Sequence, residues 1–346
     1  MMKKISLILA LVLVLALAAG CQPANKVELP RGELAMDSMT YTYWDQEVER
    51  QYHYYIPSTY EPGDKLPLFL ALHGSGANAY SQLYESNMED LAEQEGFIVV
   101  APNAVAIHID GTLSSKGNTL STIGRADSSF LRWNATPDDP QNMYDVDDVK
   151  YLCDIIDRFV DYGYADPDRV YSTGLSHGAF MSIRLAVEAP EKIAGIGAVS
   201  GLLVNKFTDL ELSEQVKLVF IHGTADPVVP MTGMAYDMDK DGKPDFDYAL
   251  SLDDTIDWFM EKYGLTTADI RSSRIEDTNT ADGCTIDRYE YVDQKGGVPV
   301  VKYIVNNGGH TWPGGTQYSP SFYIGALCKD AQATELIWNE LKDVSK

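Results

Sequence analysis

Between residues 40 and 346 the chain alternates two patterns: short runs that are apolar throughout, and longer stretches whose apolar residues recur every three or four positions. "RQYHYYIP" (50–57) alternates apolar and polar residues and ends in proline, which predicts an early strand. "LPLFLALHG" (66–74) is a continuous apolar run stopped by glycine, as a strand buried on both faces is. "FIVVAP" (97–102) repeats that pattern after a helical stretch at 86–95. Residues 147–162 set Val149, Leu152, Cys153, Ile156, Phe159 and Val160 on one helical face. Then come "DPDRVYSTG" (166–174), a helix over about 177–189, and the strands "IAGIGAVSG" (193–201) and "VKLVFIHG" (216–223). A helix at 251–263, strands near 285–292 and 298–305, and a helix at 331–342 complete the order. Apolar strands alternating with helices predict an α/β fold, a mostly parallel central sheet with helices on both faces. Ligands of such sheets gather beyond the carboxyl ends of the strands. No linker, repeat or low-complexity stretch interrupts 40–346, so a single domain is expected.

The first 21 residues break the pattern. "MMKKISLILALVLVLALAAGC" carries two lysines, an unbroken apolar run without helical periodicity, and small residues before Cys21. That is the form of an export signal. "LAAGC" resembles the lipobox of bacterial lipoproteins, whose cysteine is lipidated and becomes the mature N-terminus, although Leu17 stands one place further from Cys21 than that pattern has it. Anchoring through a lipidated Cys21 and release as a secreted protein are both open readings. The polar stretch 22–39 reads as a flexible tether, and no other membrane-length apolar run follows.

Charge narrows the partners. The chain has 27 lysines and arginines against 51 aspartates and glutamates, and loss of Lys3 and Lys4 with the signal leaves a net charge of about −26. Nucleic acid and anionic surfaces are poor partners for such a field. Of the four cysteines, Cys21 belongs to the signal and Cys153 reads as a small core residue. Cys284 and Cys328 are left as an expected disulfide pair in an oxidising compartment. Neither CxxC nor HExxH occurs, so catalytic zinc is not expected.

The chemistry sits at the predicted strand ends. "STGLSHGAF" (172–180) places Ser176 between Gly174 and Gly178, after a strand and before a helix, the setting in which a sharp turn lifts a serine hydroxyl above the sheet. A serine needs a base, and this arrangement orders its members serine, acid, histidine along the chain. Six histidines occur, at 53, 73, 108, 177, 222 and 310, and only His310 follows both Ser176 and a plausible acid. It lies in the glycine-rich "NNGGHTWPGG", just after the strand "VVKYIV". Asp226, in "HGTADPVVP" after "VKLVFI", is the expected acid, able to fix the imidazole tautomer. The oxyanion donors are then the N–H of His177 and, from the loop "LHGSGAN" (72–78), the N–H of Ser75.

"LPLFLALHGSGAN", "DPDRVYSTGLSHGAF", "VFIHGTADPVVP" and "GGHTWPGG" together resemble the secreted polyhydroxybutyrate depolymerase and feruloyl esterase group of α/β-hydrolases, over about residues 48–342. The resemblance implies a triad of Ser176, Asp226 and His310, oxyanion donors at Ser75 and His177, and Trp312 at the border of the substrate cleft. Two positions depart from the group. Ala179 stands where glycine is common, which should only tighten helix packing. The segment "SSFLRWNATPDDPQNMYDVDD" lacks a cysteine that many members carry there, so the usual disulfide is not implied.

These residues point to an exported serine esterase that works through an acyl-enzyme and needs no cofactor for the chemistry. Feruloyl or acetyl esters on plant polysaccharide fragments are the first substrate reading, hydroxybutyrate oligomers the second. A serine peptidase of the same fold and a lipid-tethered binding protein are the rivals, since fold and triad do not by themselves choose the bond cleaved. A separate expectation concerns "DMDKDGKPDFD" (237–247), where Asp237, Asp239, Asp241 and then Asp245 have the oxygen spacing of a calcium loop around Gly242. Tyr248 takes the twelfth position and offers no carboxylate, so Asp247 or a residue from elsewhere would have to complete the shell. A solvated acidic loop is the alternative.

Overall fold

The computed structural model describes residues 27–107, 113–114, 131–135, 146–236 and 246–346; the expected export signal and the acidic run 237–245 lie outside them. The strands are β1 (Leu34–Tyr43), β2 (Gln46–Tyr55), β3 (Leu66–Leu72), β4 (Ile98–Pro102), β5 (Ala106–Ile107), β6 (Leu113–Ser114), β7 (Ala165–Leu175), β8 (Gly195–Val199), β9 (Lys217–Gly223), β10 (Met234–Tyr236), β11 (Phe246–Ala249), β12 (Thr267–Arg274), β13 (Thr285–Asp293) and β14 (Val300–Asn306). The helices are α1 (Ala79–Ser86), α2 (Met88–Glu95), α3 (Asp148–Asp161), α4 (His177–Glu188), α5 (Leu252–Lys262), α6 (Ser321–Ile324) and α7 (Ala333–Leu341).

Ten strands form one sheet in the order β1-β2-β4-β3-β7-β8-β9-β14-β13-β12. Its middle, from β4 to β14, is parallel. Antiparallel strands flank it on both sides. The continuous apolar runs explain the placement. In β3, Leu68, Leu70 and Leu72 face one core while Phe69 and Ala71 face the other, and β9 divides Leu218 and Phe220 from Val219 and Ile221 in the same way. One core is closed by α3, α4 and α5, the other by α1, α2 and α7. This is the α/β-hydrolase fold, with its mostly parallel sheet covered on both faces. The chain goes from β3 out to β4 and then returns to the other side of β3 as β7, so the sheet has its switch point between β3 and β7, where a crevice opens at the strand ends.

Three elements differ from the sequence expectation. The tether expected to reach residue 39 is shorter, because β1 begins at Leu34 and pairs with β2 along its whole length, turning through Trp44 and Asp45 at φ 47° and 68°. Asp37 on this strand accepts from Tyr52 Oη at 2.8 Å and Arg158 Nη1 at 2.9 Å, partners that only the folded chain supplies. The helix expected at 86–95 is α2, starting after Asn87 at φ 53°, and a further helix, α1, precedes it, opened by an Asn78–Ser81 capping box. The strand β12 went unforeseen because it is exposed at every position and shows no apolar period. A buried ion pair ties the antiparallel strand β2 to α3. Arg50 Nη2 of β2 meets Asp148 Oδ1 of α3 at 2.7 Å with neither side chain exposed, and the guanidinium lies 3.8 Å from the Tyr151 ring centroid.

Candidate active site

Strand β7 ends at Leu175, α4 begins at His177, and Ser176 between them has φ 56° and ψ −123°. A non-glycine residue held there costs on the order of 1–3 kcal/mol, which the surroundings must offset. Ser176 N–H donates to Val199 O at 2.9 Å, and Ser176 O accepts the N–H groups of Ala179 and Phe180 at 2.8 and 3.0 Å. The helix start rests directly on the end of β3. A Cβ on Gly178 would lie 2.0 Å from Leu72 O, so the second glycine of the motif is a packing requirement. Ala179 fits because Gly201 faces it, and a Cβ on Gly201 would come within 2.5 Å of the Ala179 methyl.

The expected acid and base lie at the ends of β9 and β14. Asp226 follows β9, and its Oδ2 accepts from His310 Nδ1 at 2.7 Å. Its Oδ1 accepts the N–H groups of Val228 and Val229, each at 2.8 Å. Burial by itself would raise the Asp226 pKa, but the hydrogen bond and charge of His310 and the Val229 N–H outweigh it and hold the carboxyl below its ordinary value. With Nδ1–H committed to Asp226, the His310 Nε2 lone pair is the one left to take a proton. His222 also approaches Asp226, at 3.8 Å, but its Nε2 donates to Val229 O at 2.8 Å, and burial lowers its pKa. It is a packing histidine.

β14 lies three strands from β7, about 14 Å at ordinary strand spacing, so His310 reaches the serine side only because its loop folds back. Gly309 N–H donates to Ala326 O at 2.8 Å, and a Cβ on Gly309 would sit 2.1 Å from Ile324 O. Tyr318 Oη donates to His310 O at 2.8 Å and fixes the loop from outside. No hydrogen bond joins Ser176 Oγ to another described residue, His310 included; this contact commonly tightens only around substrate.

The loop after β3 completes the constellation. A Cβ placed on Gly74 would lie 3.6 Å from Ser176 Cβ, which brings Ser75 beside the serine. The Ser75 N–H has no hydrogen-bond partner among the described residues. His73 is fully buried, with Nδ1–H donating to Gly74 O at 2.7 Å and Nε2 accepting Ala104 N–H at 3.1 Å; burial pushes its pKa down to about 4, so it stays neutral. His177 is buried too, and its pKa falls to about 3. The segment 131–133 clasps the loop from the other side. Gly76 N–H donates to Leu131 O at 3.0 Å, Trp133 Nε1 to His73 O at 2.9 Å, and Arg132 Nε to Ser75 Oγ at 3.1 Å. Sequence reading passed over this segment, noting only the cysteine it lacks.

Two expectations need correction. Trp312 does not border a cleft. It is 1% exposed, packed in the core beneath α1 and α7, with Nε1 donating to Thr334 Oγ1 at 3.2 Å. The turn that follows it, with Gly314 N–H on Cys328 O at 2.8 Å and Gly315 N–H on Trp312 O at 2.9 Å, directs the indole inward as an anchor for the His310 loop. The second correction concerns Cys284 and Cys328, which are neighbours in that same core but are free thiols. Burial, with Asp282 and Asp330 nearby, pushes Cys284 up to about 11 and Cys328 up to about 12, so both favour the protonated thiol. Among the described residues no group of His, Cys, Asp and Glu is arranged to hold a metal, and Asp237, Asp239, Asp241 and Asp245 lie outside them. No described helix is long and apolar enough to cross a membrane.

Residues 134–239 match the phospholipase/carboxylesterase family model. The chain is 29% identical over 265 residues to NocK of Nocardia uniformis subsp. tsuyamanensis, provisionally named an esterase, covering 75% of this chain and 69% of that one. It is 28% identical over 185 residues to the bifunctional acetylxylan esterase/xylanase XynS20E of Neocallimastix patriciarum, covering 54% of this chain and 22% of that one. A poly(3-hydroxybutyrate) depolymerase of Ralstonia pickettii is 31% identical over 159 residues, covering 43% of this chain and 28% of its own length. The matches thus span less than a third of those last two proteins. By its sheet the chain has the α/β-hydrolase fold, and in sequence it is similar to proteins named as an esterase, an acetylxylan esterase/xylanase and a poly(3-hydroxybutyrate) depolymerase.

Proposed function

We propose that this carboxylesterase-type hydrolase is a serine esterase using Ser176 as nucleophile, His310 as base and Asp226 as its orienting acid. The observation that carries the reading is the 2.7 Å Asp226–His310 pair at the ends of β9 and β14, on the same rim of the sheet as the strained Ser176 turn. Ser176 Oγ bonds to the ester carbonyl carbon while its proton passes to His310 Nε2. The carbonyl oxygen takes the negative charge and meets the N–H groups of Ser75 and His177. His310 returns the proton to the departing alcohol, and water, activated by the same nitrogen, releases the acid from Ser176. The residues supply every proton acceptor and donor, so no cofactor is invoked.

For the substrate we favour feruloyl or acetyl esters on plant polysaccharide fragments, with hydroxybutyrate oligomers second; the acetylxylan esterase and the depolymerase among the relatives support the pair without ranking it. Export through residues 1–21, with a lipid anchor on Cys21, fits a substrate met outside the cell. The purified protein should hydrolyse p-nitrophenyl acetate, and Ser176→Ala and His310→Ala should each lose at least about 10³-fold in kcat. Near wild-type activity in either variant would remove the assignment. A panel of methyl ferulate, acetylated xylan and hydroxybutyrate oligomers then ranks the substrates, and a matched amide tests the peptidase alternative.

A further inference from the structure

Arg132 has no part in the scheme above, yet it is the side chain that holds the oxyanion loop at its working residue. Its Nε donates to Ser75 Oγ at 3.1 Å across 57 residues of chain. Its own N–H is fixed on Val105 O at 3.0 Å, and its neighbours Leu131 and Trp133 grip Gly76 and His73, so the guanidinium is borne by a short segment pinned at three points. Ser75 is exposed, has no other side-chain bond, and carries the N–H that points to no protein acceptor among the described residues. Without the Arg132 contact, nothing on the side chain would restrain Ser75. The positive charge also reaches the other donor: after burial, Arg132 is the largest influence lowering the His177 pKa.

Building on the serine-esterase reading, we propose that Arg132 is a positioning residue for the oxyanion hole: it holds Ser75 by its hydroxyl so that the Ser75 N–H stays directed at the reacting carbonyl oxygen, and it sets a fixed positive charge beside the anion formed there. Both effects are larger in the tetrahedral intermediate than in the bound ester. They therefore act on kcat rather than on KM. Loss of a whole oxyanion donor costs roughly 10²–10³-fold, and loss of its support should cost less.

The test is a double-mutant cycle on p-nitrophenyl acetate. Arg132→Met should lower kcat by about 10- to 100-fold with KM changed little, and should weaken inhibition by phenylboronic acid, whose serine adduct carries an oxyanion-like oxygen, by a similar factor. The melting temperature should stay close to that of the wild type. Combined with Ser75→Ala, the loss should be smaller than the product of the single losses, because Arg132 acts through that hydroxyl. Arg132→Lys, which keeps the charge, should recover part of the rate, and it replaces Arg132→Met in the cycle if the latter fails to fold. Additive losses, a change confined to KM, or unaltered boronate affinity would each overturn the proposal. Ser176→Ala is the control. If it stays active, the underlying reading fails, whereas an inactive Ser176→Ala beside a fully active Arg132→Met sinks the Arg132 role alone.

Discussion

Replacing Asp226 by asparagine separates the chemical duty of this carboxylate from its structural one, because the two fall on different oxygens. Oδ1 accepts the N–H groups of Val228 and Val229 at 2.8 Å each, which closes the turn after β9. Oδ2 accepts the proton of His310 Nδ1 at 2.7 Å. In Asp226→Asn the amide oxygen can keep both backbone donors, and the NH2 group is left facing Nδ1. An amide nitrogen only donates, so Nδ1 must become an acceptor and its proton moves to Nε2. In the proposed mechanism that is the nitrogen required to take the Ser176 proton. The expected loss is about 10⁴-fold in kcat, equivalent to about 5.5 kcal/mol of barrier, with a nearly unchanged melting temperature. Asp226→Ala behaves differently. It leaves the Val228 and Val229 N–H groups without their acceptor, Val229 in a buried position, at a cost of about 1–3 kcal/mol for the buried one, so stability falls together with rate. Initial rates on p-nitrophenyl acetate, paired with thermal melts followed by circular dichroism, measure both quantities on each variant. A folded Asp226→Asn within tenfold of wild type would refute the orienting role. A rate loss accompanied by an equally large stability loss would show that the substitution had broken the turn instead.

Glu85, half-buried at the end of α1 with no hydrogen-bond partner among the described residues, is pushed up by burial to about 7. The folded protein therefore holds a proton that the unfolded chain releases from about pH 4.5 upward, so stability falls as pH rises across that window. The loss is at most about 3 kcal/mol and is reduced by solvent screening; Glu85→Gln should melt higher than wild type at pH 8 and alike at pH 4, and parallel melts at both pH values would contradict the shift. Arg50→Ala strands the buried Asp148 carboxylate and should destabilise by about 3–5 kcal/mol in urea titrations, whereas a change below about 1 kcal/mol would mean that the pair is replaceable by water. Calcium, if bound by the aspartates of 237–247, should raise the melting temperature and chelation should lower it, while identical melts in excess calcium and excess chelator would dispose of that site.

What could be read from the sequence, and what could not, follows from how much each residue's duty restricts its identity. The strands β3, β4, β8 and β9 are buried on both faces, so only apolar residues serve and the runs stand out. The proposed chemistry restricts identity still more: a nucleophile between two glycines, an acid at one strand end and a histidine at a later one leave few positions to choose from. β1 escaped because its inward residues Ala35, Met39 and Tyr41 are only partly buried, and Asp37 finds Arg158 only through a contact spanning 121 residues. Trp312 was misplaced because a tryptophan in a glycine-rich loop suits a cleft wall or a core anchor equally well. Thr334, beneath α1, decides in favour of the anchor. The residues that hold the site still were the least legible. Trp133 and Tyr318 each bond a backbone carbonyl, Arg132 bonds a hydroxyl, and His73 bonds backbone groups through both ring nitrogens, contacts that several other side chains could make. A duty many residue types can perform leaves no signature in one sequence. The same reasoning applies to the substrate: no residue type at a strand end names the ester, so the reaction can be argued from the sequence more closely than the ester it acts on.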